Sequence, residues 1–373
     1  MNEHLTERTP ITFGADPELF FSDSEGHIIG AEKVLPASGV LPGLSTHGTP
    51  TKVILDGVQV ELNPAPNSCR QVFGAGVATA FAALKQHLTG KDVKTCFDAV
   101  ITIDKKELDS LSEKSRQFGC APSNNFYDHD VKIKANPAKY LKRSAGGHIH
   151  LGLGQPGSLL MTHRERLVPI FDTLIGNTCV MIDRCPEAAE RRKNYGRAGE
   201  YRLPAYGIEY RTLSNFWLRS YPLLGLVLGL ARLSVSGLNA TLMKRLPNGV
   251  ANTSWWDVEH KLMCNVDLKR VQKAINQNDL DLAKQNWQPV REFILNHVPQ
   301  DRAWRHESGV DAGSLDAFEH FLRRIESNGL TYWFPEDPLA HWCKQTCRAG
   351  EGWEAFLDGQ VRADMAKTVE AAQ

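Results

Sequence analysis

Four short stretches of the sequence place acidic, imidazole, amide or guanidinium side chains two residues apart. Each stretch lies in a run that is typical of a β-strand, and residues i and i+2 of a strand point to the same face. Four such strands in one sheet would form a charged concave face with carboxylates, imidazoles and arginines, which are groups that bind divalent metal ions and phosphate. The four pairs are Asp16 with Glu18, Glu61 with Asn63, His148 with His150, and Glu209 with Arg211.

The two acidic stretches differ in how strongly they indicate a metal site. Pro17 separates Asp16 from Glu18, and a proline would remove a ladder hydrogen bond from a central strand, so we expect a strand edge or rim. Two acids on one face repel each other unless a cation holds them, which favours metal ligation over a solvated edge strand. Glu61 alone fits a half-buried strand equally well, and Asp56 is the one other acid that we find near it.

The histidine pair is the most specific of the four. Gly146 and Gly147 precede His148 and His150, and glycines permit a close approach of the backbone to a ligand. A neutral imidazole can ligate a metal ion, and either ring can contact a phosphate group or a nucleobase. A core histidine satisfied by hydrogen bonds is the alternative, but a pair after two glycines favours a functional site.

Basic residues are concentrated shortly before the last pair. The segment from Glu187 to Gly199 reads as a polar loop, and two strands follow it. Planar guanidinium groups bind phosphate oxygens bidentately, so this region could hold a polyphosphate. A solvated basic loop is equally compatible with Arg191, Arg192 and Lys193. The basic residues are Arg191, Arg192, Lys193, Arg197, Arg202 and Arg211.

Composition and known nucleotide motifs narrow the class of protein. The chain has 373 residues, 43 basic and 43 acidic, which gives no reason to expect general binding of nucleic acid or of membranes. The apolar run from Tyr221 to Leu230 is too short for a bilayer span. Eight scattered cysteines and no visible leader lead us to expect reduced thiols and a cytoplasmic protein. The P-loop pattern is absent from the sequence, as are Gly-x-Ser-x-Gly and His-Glu-x-x-His.

The distribution of strands and helices predicts an α+β fold with a curved, mainly antiparallel sheet. Strand patterns and the charged pairs lie in the first ~215 residues, with a hairpin turn at Asp56-Gly57. We expect a core over residues 1–246 that binds phosphate and metal, and a helical C-terminal extension over residues 247–373 that packs on it. The helices expected in that extension are Val266–Ile275, Leu280–His297, Leu315–Ser327 and Trp353–Met365.

The order of these motifs resembles the glutamine synthetase-like carboxylate–amine ligase superfamily, and more narrowly the phage and bacterial amidoligases called COOH–NH2 ligases. The matching stretches are GADPELFF, VELNPAP, GGHIHLG and the block from Arg197 through GEYRLPAYGIEYR. The resemblance implies a glutamine synthetase-like curved sheet with helices on its outer face. It also implies Mg²⁺ or Mn²⁺ ions between that sheet and the phosphates of ATP.

The resemblance assigns roles residue by residue. It implies metal ligation by Asp16, Glu18, Glu61, His148 and Glu209. It places His150, Arg202 and Arg211 towards the nucleotide phosphates, and it matches Arg197, Arg202 and Arg211 to the catalytic region that contacts the transferred phosphate. Asp16 stands where the superfamily more often has Glu, and its shorter arm would shift that ion or leave it bridged by water.

The activity that the resemblance implies is ATP-dependent formation of an amide from a carboxylate and an amine through an acyl phosphate. The substrates would be small molecules, peptides or modified macromolecules, and a phage-encoded enzyme would act in the host cytoplasm. Relatives are often oligomeric, so a homo-oligomer is one expected state. The alternatives are phosphotransfer of the phosphagen-kinase kind, a metal-dependent hydrolase, and an inactive binding or scaffold protein of the same fold.

Overall fold

The computed structural model describes residues 11–42, 51–68, 70–118, 123–128, 140–183, 185–243, 263, 266–297 and 334–348. The thirteen strands among these residues are short, and all of their pairings are antiparallel. The strands are β1 Thr12–Ala15, β2 Glu18–Ser22, β3 Ile28–Ile29, β4 Val40–Pro42, β5 Thr51–Asp56, β6 Gln59–Pro64, β7 Lys94–Cys96, β8 Val100–Thr102, β9 Asn124–Asn125, β10 Lys142–Ser144, β11 Ile149–Gly152, β12 Glu200–Arg202 and β13 Gly207–Tyr210.

Helices fill most of the remaining described chain. A π-helical turn lies at Asp172–Gly176, and 3₁₀ turns of three to five residues lie at Ala31–Lys33, Arg164–Arg166 and Asn215–Arg219. None of the described helices is long and apolar enough to cross a membrane. The α-helices are α1 Arg70–Leu88, α2 Lys105–Ser110, α3 Glu113–Arg116, α4 Leu159–Thr162, α5 Leu167–Phe171, α6 Asn177–Val180, α7 Ala188–Asn194, α8 Tyr221–Met243, α9 Leu268–Gln277, α10 Leu280–His297 and α11 Pro338–Arg348.

The fold is α+β, as predicted, and its antiparallel strands curl into a half-barrel. One sheet has the order β1-β11-β13-β12-β9, and a second contains β3-β2-β6-β5-β4 with β7 beside β2. The sheets adjoin where β1 ends and β2 begins, because only Asp16 and Pro17 separate these strands. Pro17 thus lies at a strand break, in agreement with its predicted place at a rim. The Asp56-Gly57 turn joins β5 to β6, as the sequence predicted.

The apolar core lies between the strands and the helices. Trp217 is buried, and its indole N–H donates to the Gly147 carbonyl at 3.0 Å. The described C-terminal helices contact this core, since the Trp342 indole of α11 stacks on Phe81 and donates to the Leu218 carbonyl. Helices α9 and α10 confirm two of the four helices expected beyond residue 247. The expected helices Leu315–Ser327 and Trp353–Met365 lie outside the described residues.

The prediction of a loop from Glu187 to Gly199 is wrong for the first half of this segment. Helix α7 occupies Ala188–Asn194, and both Arg191 and Arg192 are buried instead of solvated. The Arg191 guanidinium donates to the carbonyls of Thr212 at 3.0 Å and Leu213 at 2.8 Å. A solvated loop was expected because these acceptors lie 21 and 22 residues later in the chain and are invisible in the local pattern. Four cysteines, Cys96, Cys179, Cys185 and Cys343, are free thiols.

Candidate functional site

Strand register places charged side chains in a row across three neighbouring strands. His150 of β11 lies opposite Glu209 of β13, and Glu209 lies opposite Arg202 of β12. Directly opposed residues of an antiparallel pair point to the same face. Gly14 of β1 lies opposite His150 on the other side, and a Cβ there would lie 3.2 Å from the Cβ of His150. The glycine therefore gives the imidazole room next to β1.

Asp16 joins this row from the break between β1 and β2. Its Oδ1 lies 2.9 Å from Nδ1 of His148, and its Oδ2 lies 3.2 Å from Nε2 of His150. The two imidazoles of the His-x-His pair therefore face different oxygens of one carboxylate. This arrangement brings a residue of the first motif together with two residues that are more than 130 positions away in the sequence.

Glu209 connects the imidazoles to the arginines. Its Oε1 lies 3.7 Å from His148 Nδ1, 3.1 Å from Arg211 Nη1 and 3.6 Å from Arg202 Nη1. Arg211 is fully buried, whereas the Arg202 side chain is 30% exposed. Of the two arginines, Arg202 is therefore the one that a molecule in solvent can reach directly.

Four buried atoms at the centre of the site fit the ligand set of a divalent cation. Asp16 Oδ1, His148 Nδ1, His150 Nε2 and Glu209 Oε1 make no hydrogen bond of acceptable geometry with the described residues, despite their short separations. Buried polar atoms are otherwise almost always hydrogen-bonded. One ligand atom from each of Asp16, His150 and Glu209 lies within 4.8 Å of the others. Carboxylate oxygens and neutral imidazole nitrogens are ordinary donors to such ions.

Burial and neighbouring charge shift the protonation of this group. Burial raises the pKa of Asp16, but His148 and then His150 outweigh it and hold that pKa well below its ordinary value. Burial lowers the pKa of His148 to about 4, so its ring is neutral at pH 7 and can offer a lone pair. Burial also lowers the pKa of His150, but Asp16, Glu209 and Glu61 raise it overall. Burial, and less so Asp16, raises the pKa of Glu209 to about 7.

Glu18 and Glu61 form a second acidic group beside the first. They lie opposite each other on β2 and β6, and Glu18 accepts hydrogen bonds from the Gly146 N–H at 2.6 Å and from Gln59 Nε2 at 3.1 Å. Burial raises the pKa of Glu18, and the charge of Asp56 adds to that shift. Burial and the charge of Asp16 raise the pKa of Glu61 to about 8. A bound cation would oppose these rises in pKa, because it favours the ionised carboxylates.

Among the described residues, Arg197 makes no hydrogen bond or ion pair with the acids of the candidate site. It is half-buried in the turn before β12, where its backbone N–H donates to Glu200 Oε1 at 3.0 Å. Its carbonyl accepts a hydrogen bond from the Thr212 hydroxyl at 2.9 Å. Its backbone therefore ties this turn to the segment after β13.

Three residues of the site were not singled out by their sequence pattern. Burial and the charge of Asp16 raise the pKa of Asp56 to about 6, which shows that this hairpin-turn acid belongs to the acidic group. The Tyr195 hydroxyl is hydrogen-bonded to His148 Nε2, and the Tyr206 hydroxyl is hydrogen-bonded to His150 Nδ1 at 2.5 Å. The sequence marked Asp56 as a turn residue and as the one other acid near Glu61, and the tyrosines carry no charge that would mark them.

The glycines before the histidines make room for protein atoms. A Cβ on Gly146 would lie 2.5 Å from Nε2 of the His148 ring. A Cβ on Gly147 would clash with the Ser214 carbonyl and the Trp217 indole. The paired glycines were predicted to let the backbone approach a ligand closely. Among the described residues, the atoms that approach them closely are those of the His148 imidazole and of the core.

The loop at residues 123–128 is held as a turn. Asn125 is buried, and its Oδ1 accepts hydrogen bonds from the backbone N–H groups of Tyr127 at 2.9 Å and Asp128 at 3.0 Å. Its Nδ2 donates to the Ala198 carbonyl at 2.9 Å. The Asn125 side chain thus fixes the loop against the turn that leads into β12.

Comparison with known families identifies the type of protein. The chain matches the family model described as Phage phiEco32-like COOH.NH2 ligase-type 2 over residues 105–311, more than half of its length. The match contains His148, His150, Glu209 and the arginines, whereas Asp16, Glu18 and Glu61 precede it. No curated protein matches the chain.

Proposed function

Since the chain belongs to the phage phiEco32-like COOH–NH2 ligase-type 2 family, we propose that it is an ATP-dependent ligase that joins a carboxylate to an amine. The observation that carries this proposal is the convergence of Asp16, His148, His150 and Glu209 on one buried point next to Arg202. Carboxylates, neutral imidazoles and guanidinium groups are what a site needs to bring anionic ATP and a carboxylate together.

The proposed reaction has two steps. An oxygen of the substrate carboxylate attacks the γ-phosphorus of ATP, the bond to the β–γ bridging oxygen breaks, and ADP leaves from an acyl phosphate. The amine nitrogen then attacks the acyl carbon, loses a proton and expels inorganic phosphate, which leaves the amide. Repulsion between the two anions at 4 Å costs about 4 kcal/mol at an effective dielectric constant of 20, so cationic partners are required.

The residues of this chain have distinct tasks in the proposal. Asp16, His148 and Glu209 would hold Mg²⁺ or Mn²⁺ with Glu18 and Glu61 nearby, and a bound ion would supply charge neutralisation for the phosphates. Arg202 would bind the transferred phosphate, because it is the more accessible guanidinium beside Glu209. Arg211 would keep Glu209 in place through their 3.1 Å ion pair. His150 would join Asp16 and Glu209 around the ion, on the side towards the nucleotide phosphates.

Transfer of isotopic oxygen tests this proposal directly. The full chain is incubated with ATP, Mg²⁺, a pool of ¹⁸O-labelled carboxylates and hydroxylamine, which traps acyl phosphates as hydroxamates. We expect ADP, inorganic phosphate carrying ¹⁸O, and a hydroxamate, all abolished in Glu209→Gln. ADP formation with phosphate retained on a nitrogen would indicate a phosphotransferase instead. Phosphate without carboxylate oxygen would contradict an acyl phosphate.

A further inference from the structure

Each histidine of the pair has one ring nitrogen on a tyrosine hydroxyl and the other towards Asp16. Tyr195 bonds His148 through Nε2, which leaves Nδ1 at 2.9 Å from Asp16 Oδ1. Tyr206 bonds His150 through Nδ1, which leaves Nε2 at 3.2 Å from Asp16 Oδ2. The two rings therefore face Asp16 with different nitrogens, His148 with Nδ1 and His150 with Nε2.

The tautomer of each ring decides whether it can bind a cation. A neutral imidazole has one N–H and one lone pair, so a lone pair on the nitrogen facing Asp16 requires the proton on the other nitrogen. A carboxylate alone would favour the opposite tautomer, because it accepts an N–H. A phenol oxygen both donates and accepts hydrogen bonds, so it can receive the proton-bearing nitrogen when a cation binds.

The two tyrosines differ in their surroundings. Tyr195 is buried, and its oxygen also accepts a hydrogen bond from Arg211 Nη2 at 2.7 Å. Its ring lies 5.2 Å beneath the Arg211 guanidinium. Tyr206 is 47% exposed in the β12–β13 turn, and its ring stacks on His150 with an interplanar angle of 18°. Tyr195 thus connects an imidazole to an arginine, and Tyr206 holds the other imidazole from the solvent side.

We propose that Tyr195 and Tyr206 are positioning residues that accept hydrogen bonds from His148 Nε2–H and His150 Nδ1–H, so that His148 Nδ1 and His150 Nε2 present lone pairs to a divalent cation beside Asp16. The hydroxyls act as outer-shell partners of these ligands, which typically alter metal affinity by about 10–100-fold. This inference rests on the proposed function in one respect, namely that this cation site is the one that the ligase uses.

Mn²⁺ titration of the metal-free full chain, followed by electron paramagnetic resonance without ATP or substrates, tests the inference. We expect Tyr195→Phe and Tyr206→Phe each to weaken Mn²⁺ binding by about 10-fold or more. The matched control is Tyr201→Phe, because the Tyr201 hydroxyl lies 3.2 Å from Glu165 and does not contact either histidine. That control should bind within about 2-fold of the wild-type protein.

Double variants separate a positioning role from a loss of structure. Tyr195→Phe should weaken Mn²⁺ binding no further in a His148→Ala chain, and Tyr206→Phe no further in a His150→Ala chain, because each tyrosine acts through its histidine. Wild-type affinity in both phenylalanine variants would overturn the inference, as would undiminished losses in the alanine backgrounds or no Mn²⁺ binding by the wild-type chain. Tyrosine-dependent Mn²⁺ binding without amide formation would leave this inference standing and refute the ligase proposal.

Discussion

At the scale of single residues, the candidate site concentrates negative charge that the protein alone does not neutralise. Asp16, Glu18, Asp56 and Glu61 influence one another electrostatically, and three of the four have raised pKa values. Ionised acids repel each other more strongly in a partly buried site than in water. Retention of this arrangement costs stability when no cation is bound, which gives the site a measurable signature.

Glu18→Gln should stabilise the metal-free protein at pH 8 and leave it unchanged at pH 5. The folded-state pKa of Glu18 lies above its ordinary value of 4.5 because of burial and Asp56, so ionisation of this group destabilises the fold as the pH rises. At pH 5 the folded carboxyl is already protonated. Thermal unfolding should show a midpoint higher by about 2–6 °C at pH 8.

The control for this prediction is Glu25→Gln, since the Glu25 side chain is 78% exposed. It should not change the unfolding midpoint at either pH. An equal shift at pH 5 and pH 8 in Glu18→Gln would contradict the account, because the effect would then come from packing and not from charge.

Single residues also show what a sequence can and cannot reveal. The sequence pointed to Asp16, His148, His150 and Glu209, which the fold brings together, because their i, i+2 spacing and polarity stand out in apolar strands. Tyr195 and Tyr206 could not, because a tyrosine in such a region usually packs, and its partner nitrogen is visible only in three dimensions. Asp56 was recognisable as a turn residue, but its electrostatic effect depends on how the β5–β6 hairpin faces β2.

At the scale of secondary-structure elements, register determines the composition of the site. β11 lies between β1 and β13, so residues from three distant parts of the chain face one another. The antiparallel class and the Asp56-Gly57 hairpin were predictable from local patterns. Strand order was not, because it is fixed by long-range pairing. Helix α7 was missed for the same reason, since its buried arginines have acceptors beyond β13.

Arg191→Ala should destabilise the protein by about 2–4 kcal/mol. It removes the buried guanidinium that donates to the carbonyls of Thr212 and Leu213, so each carbonyl loses one hydrogen bond. Chemical denaturation measures this difference in the free energy of unfolding. Lys193→Ala is the matched control on the same helix, since the Lys193 side chain is 70% exposed. Its cost should be within about 0.5 kcal/mol. Equal losses in the two variants would show that Arg191 does not hold the segment after β13.

At the scale of the whole molecule, the candidate site unites the family-matched part of the chain with the part before it. The match begins at residue 105, whereas Asp16 lies at the β1–β2 break, Glu18 in β2 and Glu61 in β6. The fold brings the two parts together through the β1–β11 pairing and through the hydrogen bond that the Gly146 N–H donates to Glu18. The predicted division into a core over residues 1–246 and an extension over 247–373 stays a prediction.

Cation binding by the full chain should become tighter as the pH rises from 6 to 8.5. Glu61, with a pKa of about 8, and Glu209, with a pKa of about 7, bind protons in the metal-free protein that a cation must displace. Calorimetric titration of Mn²⁺ in buffers of different ionisation enthalpy should detect proton release at pH 6.5. An affinity that does not change with pH, with no proton released, would contradict this prediction. Glu209→Gln should weaken the dependence.

We propose that acids and imidazoles far apart in the sequence bind one cation in the half-barrel. Anomalous diffraction from crystals grown with Mn²⁺ and a non-hydrolysable ATP analogue tests it most directly. We expect a manganese peak within about 2.5 Å of carboxylate oxygens of Asp16 and Glu209 and of an imidazole nitrogen of the histidine pair. Manganese bound only at other surfaces, with these side chains unchanged, would contradict it.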